Sequence, residues 1–326
     1  MGTLLNAYGN FMNQQIPLYA LGAGISTQYG TLLPPSSAEN PIYVRSVGQI
    51  DGDSQQIVQR LQPTLAAALA QCRSGYGDVI YVLPGHAENV VDATMLTNLV
   101  NGTRIIGIGS ALRDDAPTFT WTATGSSWVV DNNNVSFENL RLKFTGINAV
   151  VKAVNITGSG VSFRNCYVEM ADTDLAPAIA FEVGSAAHWC SFIGNKMYGI
   201  TAVPLTNGIK VVGATVPKGL LIAGNDLDYA VTEVGGNVNI TVAATHVRII
   251  GNIMANSVAS STANVVTANV AATGIIANNY FSQLNDGTIT AQGVIIGGSS
   301  VLIRCFENYA CDEKAKSGAL SPGVCT

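Results

Sequence analysis

Short apolar runs that end in an amide or an equivalent residue return along this chain about every 28 residues, a period in the range of solenoid repeats. They read Arg104-Ile-Ile-Gly-Ile108, Ser136-Phe-Glu-Asn139, Ser162-Phe-Arg-Asn165, Ser191-Phe-Ile-Gly-Asn195 and Leu221-Ile-Ala-Gly-Asn225. Arg248-Ile-Ile-Gly-Asn252, Ile275-Ile-Ala-Asn-Asn279 and a degenerate Ile303-Arg-Cys-Phe-Glu-Asn308 follow. Their last positions differ in turn by 31, 26, 30, 30, 27, 27 and 29 residues. Between them lie further short runs such as Gly208-Ile-Lys-Val-Val212 and Val238-Asn-Ile-Thr-Val242, rich in Val and Ile and bounded by Gly, Asn and Thr. Such runs read as strands. No helix-length periodicity separates them, which argues against alternating strand and helix units.

Two or three strands per unit suit one coil of a three-sided parallel solenoid, in which each strand pairs with its equivalent one coil away. The expected fold is all-β: a right-handed parallel β-helix of the pectate-lyase-like kind. A residue that returns once per coil stacks on itself, and Asn can form an amide ladder or take the left-handed angles of a tight corner. Asn139, Asn165, Asn195, Asn225, Asn252, Asn279 and Asn308 are therefore assigned to a single corner column.

The ends differ from the repeats, as an open solenoid requires. Asp53-Ser54 can start a capping helix reaching about Cys72, with Ile57, Leu61, Leu65 and Leu69 on one face and Pro63 kinking it or starting a second segment. Residues 1–50 are apolar and nearly uncharged without a period. They read as an arm or anchor that packs on another chain, or as a strip along the solenoid's own flank. Tyr8, Phe11, Met12, Ile16, Leu18, Tyr19 and Leu21 are its interface candidates. The capping helix and β-helix are assigned to 51–311 and an extended tail to 312–326.

Composition narrows the function. Only 11% of the 326 residues are charged, against roughly 25% in an average domain, and 48% are hydrophobic. A net charge of -5 without a basic run argues against nucleic acid. No apolar stretch is long enough to span a membrane, and no signal-peptide pattern opens the chain. Six cysteines share no column and form no CxxC pair, so a metal site is not expected. Most read as buried small hydrophobes, while Cys305, Cys311 and Cys325 leave a disulfide at the tail open.

Catalytic equipment is sparse. Asp226 and Asp228 lie on one face of a strand, but the equivalents one coil earlier are Lys196 and Tyr198, which suggests a surface ion pair. Asp172 and Asp174 fall in a turn, Glu182 and Glu233 on different coils. His86, His188 and His246 do not converge, and Gly107-Ile-Gly109 lacks the rest of a phosphate-binding loop. Aromatic residues are scattered, except that Tyr280 and Tyr309 follow Asn279 and Asn308 on successive coils. That pair suits a subunit interface or weak glycan binding. No catalytic residue, cofactor or metal is assigned.

Leu65-Ala-Ala-Ala-Leu69 followed by Gly77-Asp-Val-Ile-Tyr-Val-Leu-Pro-Gly-His-Ala-Glu88 resembles a block in structural proteins of tailed bacteriophages. Those proteins enter a right-handed parallel β-helix through such a helix, strand and Pro-Gly turn. Phe306-Glu-Asn-Tyr-Ala-Cys-Asp312 and Ser317-Gly-Ala-Leu-Ser-Pro-Gly323 resemble their tails. The resemblance spans roughly 55–326. It implies a virion protein assembled in the host cytoplasm: a capsid decoration or cement protein bound to the major capsid protein, most simply a homotrimer. The related alternative is a tail fibre or tailspike that binds or degrades a host glycan. Clustered acids and a long trimerisation domain, both found in depolymerising tailspikes, are missing from the sequence.

Overall fold

The chain winds through three parallel sheets in the same order, coil after coil. The structure is a computed structural model that describes residues 41–46, 61–144, 150–170, 177–199, 205–214, 217–228, 236–256, 263–267, 271–283, 292–296, 302–312 and 321–322. Sheet A has eleven strands, among them the motif strands Arg104–Gly107, Ser136–Glu138, Ser162–Arg164, Ser191–Ile193, Leu221–Ala223, Val247–Ile250, Gly274–Ala277 and Ile303–Phe306. Sheet B has ten, beginning at Ala87–Val90, and sheet C has seven, from Trp128–Val130 to Gln292–Ile296. The protein is an all-β parallel β-solenoid. Ser321–Pro322, in the region expected to be an extended tail, pairs antiparallel with Tyr309–Asp312 at the edge of sheet B.

Register makes the coils stack residue on residue. Phe137, Phe163 and Phe192 are successive partners in sheet A, followed by Ile222, Ile249, Ile276 and Cys305. All but Cys305 are buried, because alternate strand positions face the interior. The first three rings stack with centroids 4.7 and 5.8 Å apart and planes within 10°. Trp121 and Trp128 are fully buried beside them, their indole N–H groups directed at the Ala153 carbonyl and the Met95 sulfur. The interior is thus aromatic in the early coils and aliphatic in the later ones. Only the later part matches the Val, Ile and Ala interior inferred from composition.

Spacing is strict at one corner and loose at the other two. Phe163 and Tyr167, Phe192 and Lys196, Ile222 and Asp226, Ile249 and Ile253, and Ile276 and Tyr280 are four residues apart, each first member in sheet A and each second in sheet B. From sheet B to sheet C, Tyr167 to Phe181 is 14 residues and Asp226 to Val238 is 12. From sheet C to the next sheet A strand, Val154 to Phe163 is 9 and Ile209 to Ile222 is 13. The irregular repeat length therefore resides in two of the three connections.

The N-terminal end departs from expectation. Leu61–Gln62 is a strand of sheet A, paired with Ile42–Val44, which in turn pairs with Val79–Val82. A short helix, Leu65–Leu69, begins only after Pro63, with Thr64 as its N-cap accepting from Ala67 N–H. Proline deprives position 63 of a ladder donor, and Thr64 offers a better cap, so the helix starts there. Leu65, Ala68 and Leu69 join the interior cluster. The proposed cap at Asp53-Ser54 lies outside the described residues, as do 1–40.

Candidate functional site

The A–B corner is built from two adjacent columns. Asn139, Asn165, Gly194, Gly224, Gly251, Asn278 and Glu307 all have φ between 51° and 65°, the left-handed bend that turns the chain out of sheet A. One residue later come Leu140, Cys166, Asn195, Asn225, Asn252, Asn279 and Asn308, all buried. The single seven-membered column inferred from the sequence is therefore corrected. Asn139 and Asn165 occupy the bend, whereas Asn195, Asn225, Asn252, Asn279 and Asn308 lie inside. Where Gly supplies the bend, the following Asn falls in the interior; where Asn supplies it, Leu140 or Cys166 does.

The five interior amides form a continuous ladder. Asn195, Asn225, Asn252 and Asn279 each donate from Nδ2 to the Oδ1 of the next member, at 3.0, 2.9, 2.9 and 2.9 Å. The same Nδ2 groups donate back to the carbonyls of Phe163, Phe192, Ile222 and Ile249. Each Oδ1 in the run also accepts a backbone N–H from the coil before it, beginning with Cys166 N–H on Asn195. Buried amides cost free energy unless so paired. The ladder is structural chemistry.

The acidic candidates are occupied elsewhere. Lys196 Nζ lies 3.8 Å from Asp226, and both are about half exposed. Asp228 is raised above the ordinary carboxylate range by partial burial and by neighbouring Asp226, with Lys196 opposing the shift. Glu182 accepts from Lys152 at 2.6 Å, Glu138 from Arg104 at 3.1 Å and Glu169 from Arg141 Nε at 2.9 Å. Each pair joins adjacent coils. Asp172, Asp174 and Glu233 lie outside the described residues, as do Tyr8, Phe11, Met12, Ile16, Leu18, Tyr19 and Leu21. Tyr280 and Tyr309 are stacked, with centroids 5.3 Å apart and planes 19° apart. Among the described residues, no group of three or more His, Cys, Asp or Glu side chains could hold a metal ion.

One constellation escaped the sequence reading. Ser46 Oγ is 3.1 Å from His86 Nδ1, and Glu88 Oε2 is 3.0 Å from His86 Nε2. Hydroxyl, imidazole and carboxylate in line are the parts of a nucleophilic triad. Here they act as a clamp. Ser46 Oγ already donates to the Ala87 carbonyl at 2.8 Å and accepts from Ala87 N–H at 3.0 Å. Glu88 Oε2 also accepts the Leu65 N–H at the start of the helix, at 2.8 Å. The imidazole is buried against Phe119, and the N–H groups of Gly85 and His86 are bonded to the carbonyls of Asp115 and Leu83. No pair of donors remains there to hold an oxyanion. Ser46 and His86 are 40 residues apart, so no local motif announces them.

No family model, curated protein or solved structure matches the chain.

The thiols divide in the same way. Cys166 is pushed up to about 12, and Cys72 and Cys190 to about 11, chiefly by burial, which keeps them protonated and unreactive. Cys305, at the C-terminal end of the sheet A interior column, is disulfide-bonded.

Proposed function

We propose that this chain is a non-enzymatic structural protein of a tailed-phage virion, a decoration or cement protein that attaches to the major capsid protein through residues 1–40 and assembles as a trimer. One observation carries the non-catalytic part. The Ser46–His86–Glu88 constellation is consumed by the backbone it clamps, and the acidic candidates Glu138, Glu169, Glu182 and Asp226 face basic partners on adjacent coils. Groups spent on holding the frame together are not poised to move protons. The virion part rests on the resemblance of 65–88 and of the tail to phage structural proteins.

The test is a truncation. Protein lacking residues 1–40 should remain soluble and β-rich by circular dichroism yet fail to co-sediment with particles that bind the full chain. Co-sedimentation of the truncated protein overturns the arm assignment. Release of reducing ends from host capsular polysaccharide by the full chain would favour the tailspike alternative instead.

A further inference from the structure

The corner between sheets C and A repeats a left-handed residue in coil after coil: Gly77, Gly102, Asn134, Gly160, Trp189, Gly219 and His246, with φ from 57° to 84°. Gly and Asn accept that conformation readily, whereas a bulky side chain is strained there. Trp189 adopts it at φ 58° and is nevertheless 60% exposed. Its ring lies flat on the next coil at Gly219, where an added Cβ would come within 2.0 Å of ring carbon Cε3. The His246 ring is 6.5 Å away on the coil after that.

The backbone around the indole is held in place. Trp189 N–H donates to the Lys218 carbonyl at 2.6 Å, and Lys218 N–H donates to His188 Nδ1 at 3.2 Å. A strained residue that gains only a glycine contact and leaves most of its ring in water does little for the fold, and such strain gathers at binding positions. The surroundings indicate what binds. Ser159 and Gly160 on one side, and Lys218, Gly219, Thr245 and His246 on the other, make a polar rim with no contiguous apolar patch. A protein interface would instead centre on such a patch. The adjacent coils bring Lys218 and two imidazoles to this corner and no carboxylate, in a chain of net charge -5.

We propose that Trp189, rimmed by Lys218, His188 and His246, is a saccharide-stacking subsite that prefers a sugar bearing a carboxylate. The apolar face of a pyranose would lie on the open face of the indole while its carboxylate meets Lys218. This proposal does not rest on capsid attachment, since a decoration protein and a fibre could carry the subsite alike.

Trp189 is its own reporter, because the other two tryptophans, Trp121 and Trp128, are fully buried. Acrylamide quenching of the full-length protein would be followed with a uronic-acid hexasaccharide, a neutral glucose hexasaccharide and an oligothymidylate of similar length. The uronate should shield Trp189 at millimolar concentration, and the neutral sugar should bind about threefold more weakly, the weight of one exposed charge contact. Lys218→Gln should abolish that difference. Trp189→Gly, which suits the left-handed bend, should fold with unchanged or higher stability and bind the uronate at least about tenfold more weakly by calorimetry, the loss of one ring contact. Absence of shielding by the uronate, equal binding of the neutral sugar, stronger shielding by the oligothymidylate, or undiminished binding by Trp189→Gly would each overturn the assignment.

Discussion

An asparagine inside a solenoid is tolerable only when both halves of its amide are used, and Asn252 shows how completely that is met. Its Oδ1 accepts from Asn225 N–H and Nδ2, while its Nδ2 donates to Asn279 and to the Ile222 carbonyl. Asn252→Ala should cost about 3 kcal/mol in urea unfolding, because it strands buried groups on both sides. The amides were legible in the sequence, but their alignment was not. Gly194-Asn195 and Asn165-Cys166 place the bend one residue apart relative to the last Asn, and only register reveals which residue turns and which is buried. Asp228 offers a second residue-scale test. Its folded-state pKa is raised, so the native state binds its proton more tightly and stability falls as pH rises through that pKa. Asp228→Asn should therefore raise the melting temperature at pH 7, and the gain should vanish below about pH 3.8, the reference value.

Among the elements, the strands were readable because short runs of β-branched residues between Gly and Asn have few alternatives. Even the neighbour relation of Lys196 with Asp226 follows from the period. The N-terminal elements were not readable. The four-residue apolar spacing through Leu61 imitates a helix, whereas Leu61–Gln62 gains more by pairing with Ile42–Val44 than by turning. What joins this strand pair, the helix and the following turn is the Ser46–His86–Glu88 clamp. Glu88→Ala leaves the Leu65 N–H and the His86 ring nitrogen without their acceptor, and should cost about 2–4 kcal/mol of stability. Glu88→Gln should cost clearly less, since an amide oxygen still accepts the Leu65 N–H. Equal losses for the two substitutions would show that packing, not hydrogen bonding, holds the clamp.

At the scale of the molecule, cooperativity passes from coil to coil through parallel strands and one interior column. The column begins with Phe and Trp and ends at Cys305, where a disulfide takes over from packing. Reduction should raise hydrogen exchange in Ile303–Phe306 and leave Ser162–Arg164 unchanged, as read by mass spectrometry. Uniform loosening of both strands would mean that the solenoid melts as one unit. The differing corners have a practical corollary. Four residues separate sheets A and B in every coil named above, and the amide ladder runs through that step, so one inserted residue would put all later amides out of line. The B–C and C–A connections already vary from 12 to 14 and from 9 to 13 residues within one chain. A foreign loop spliced into either of those two edges would be carried on the outside of a frame that need not adjust to it. The protein is in that sense a ready-made display rod, with two permissive edges and one forbidden edge.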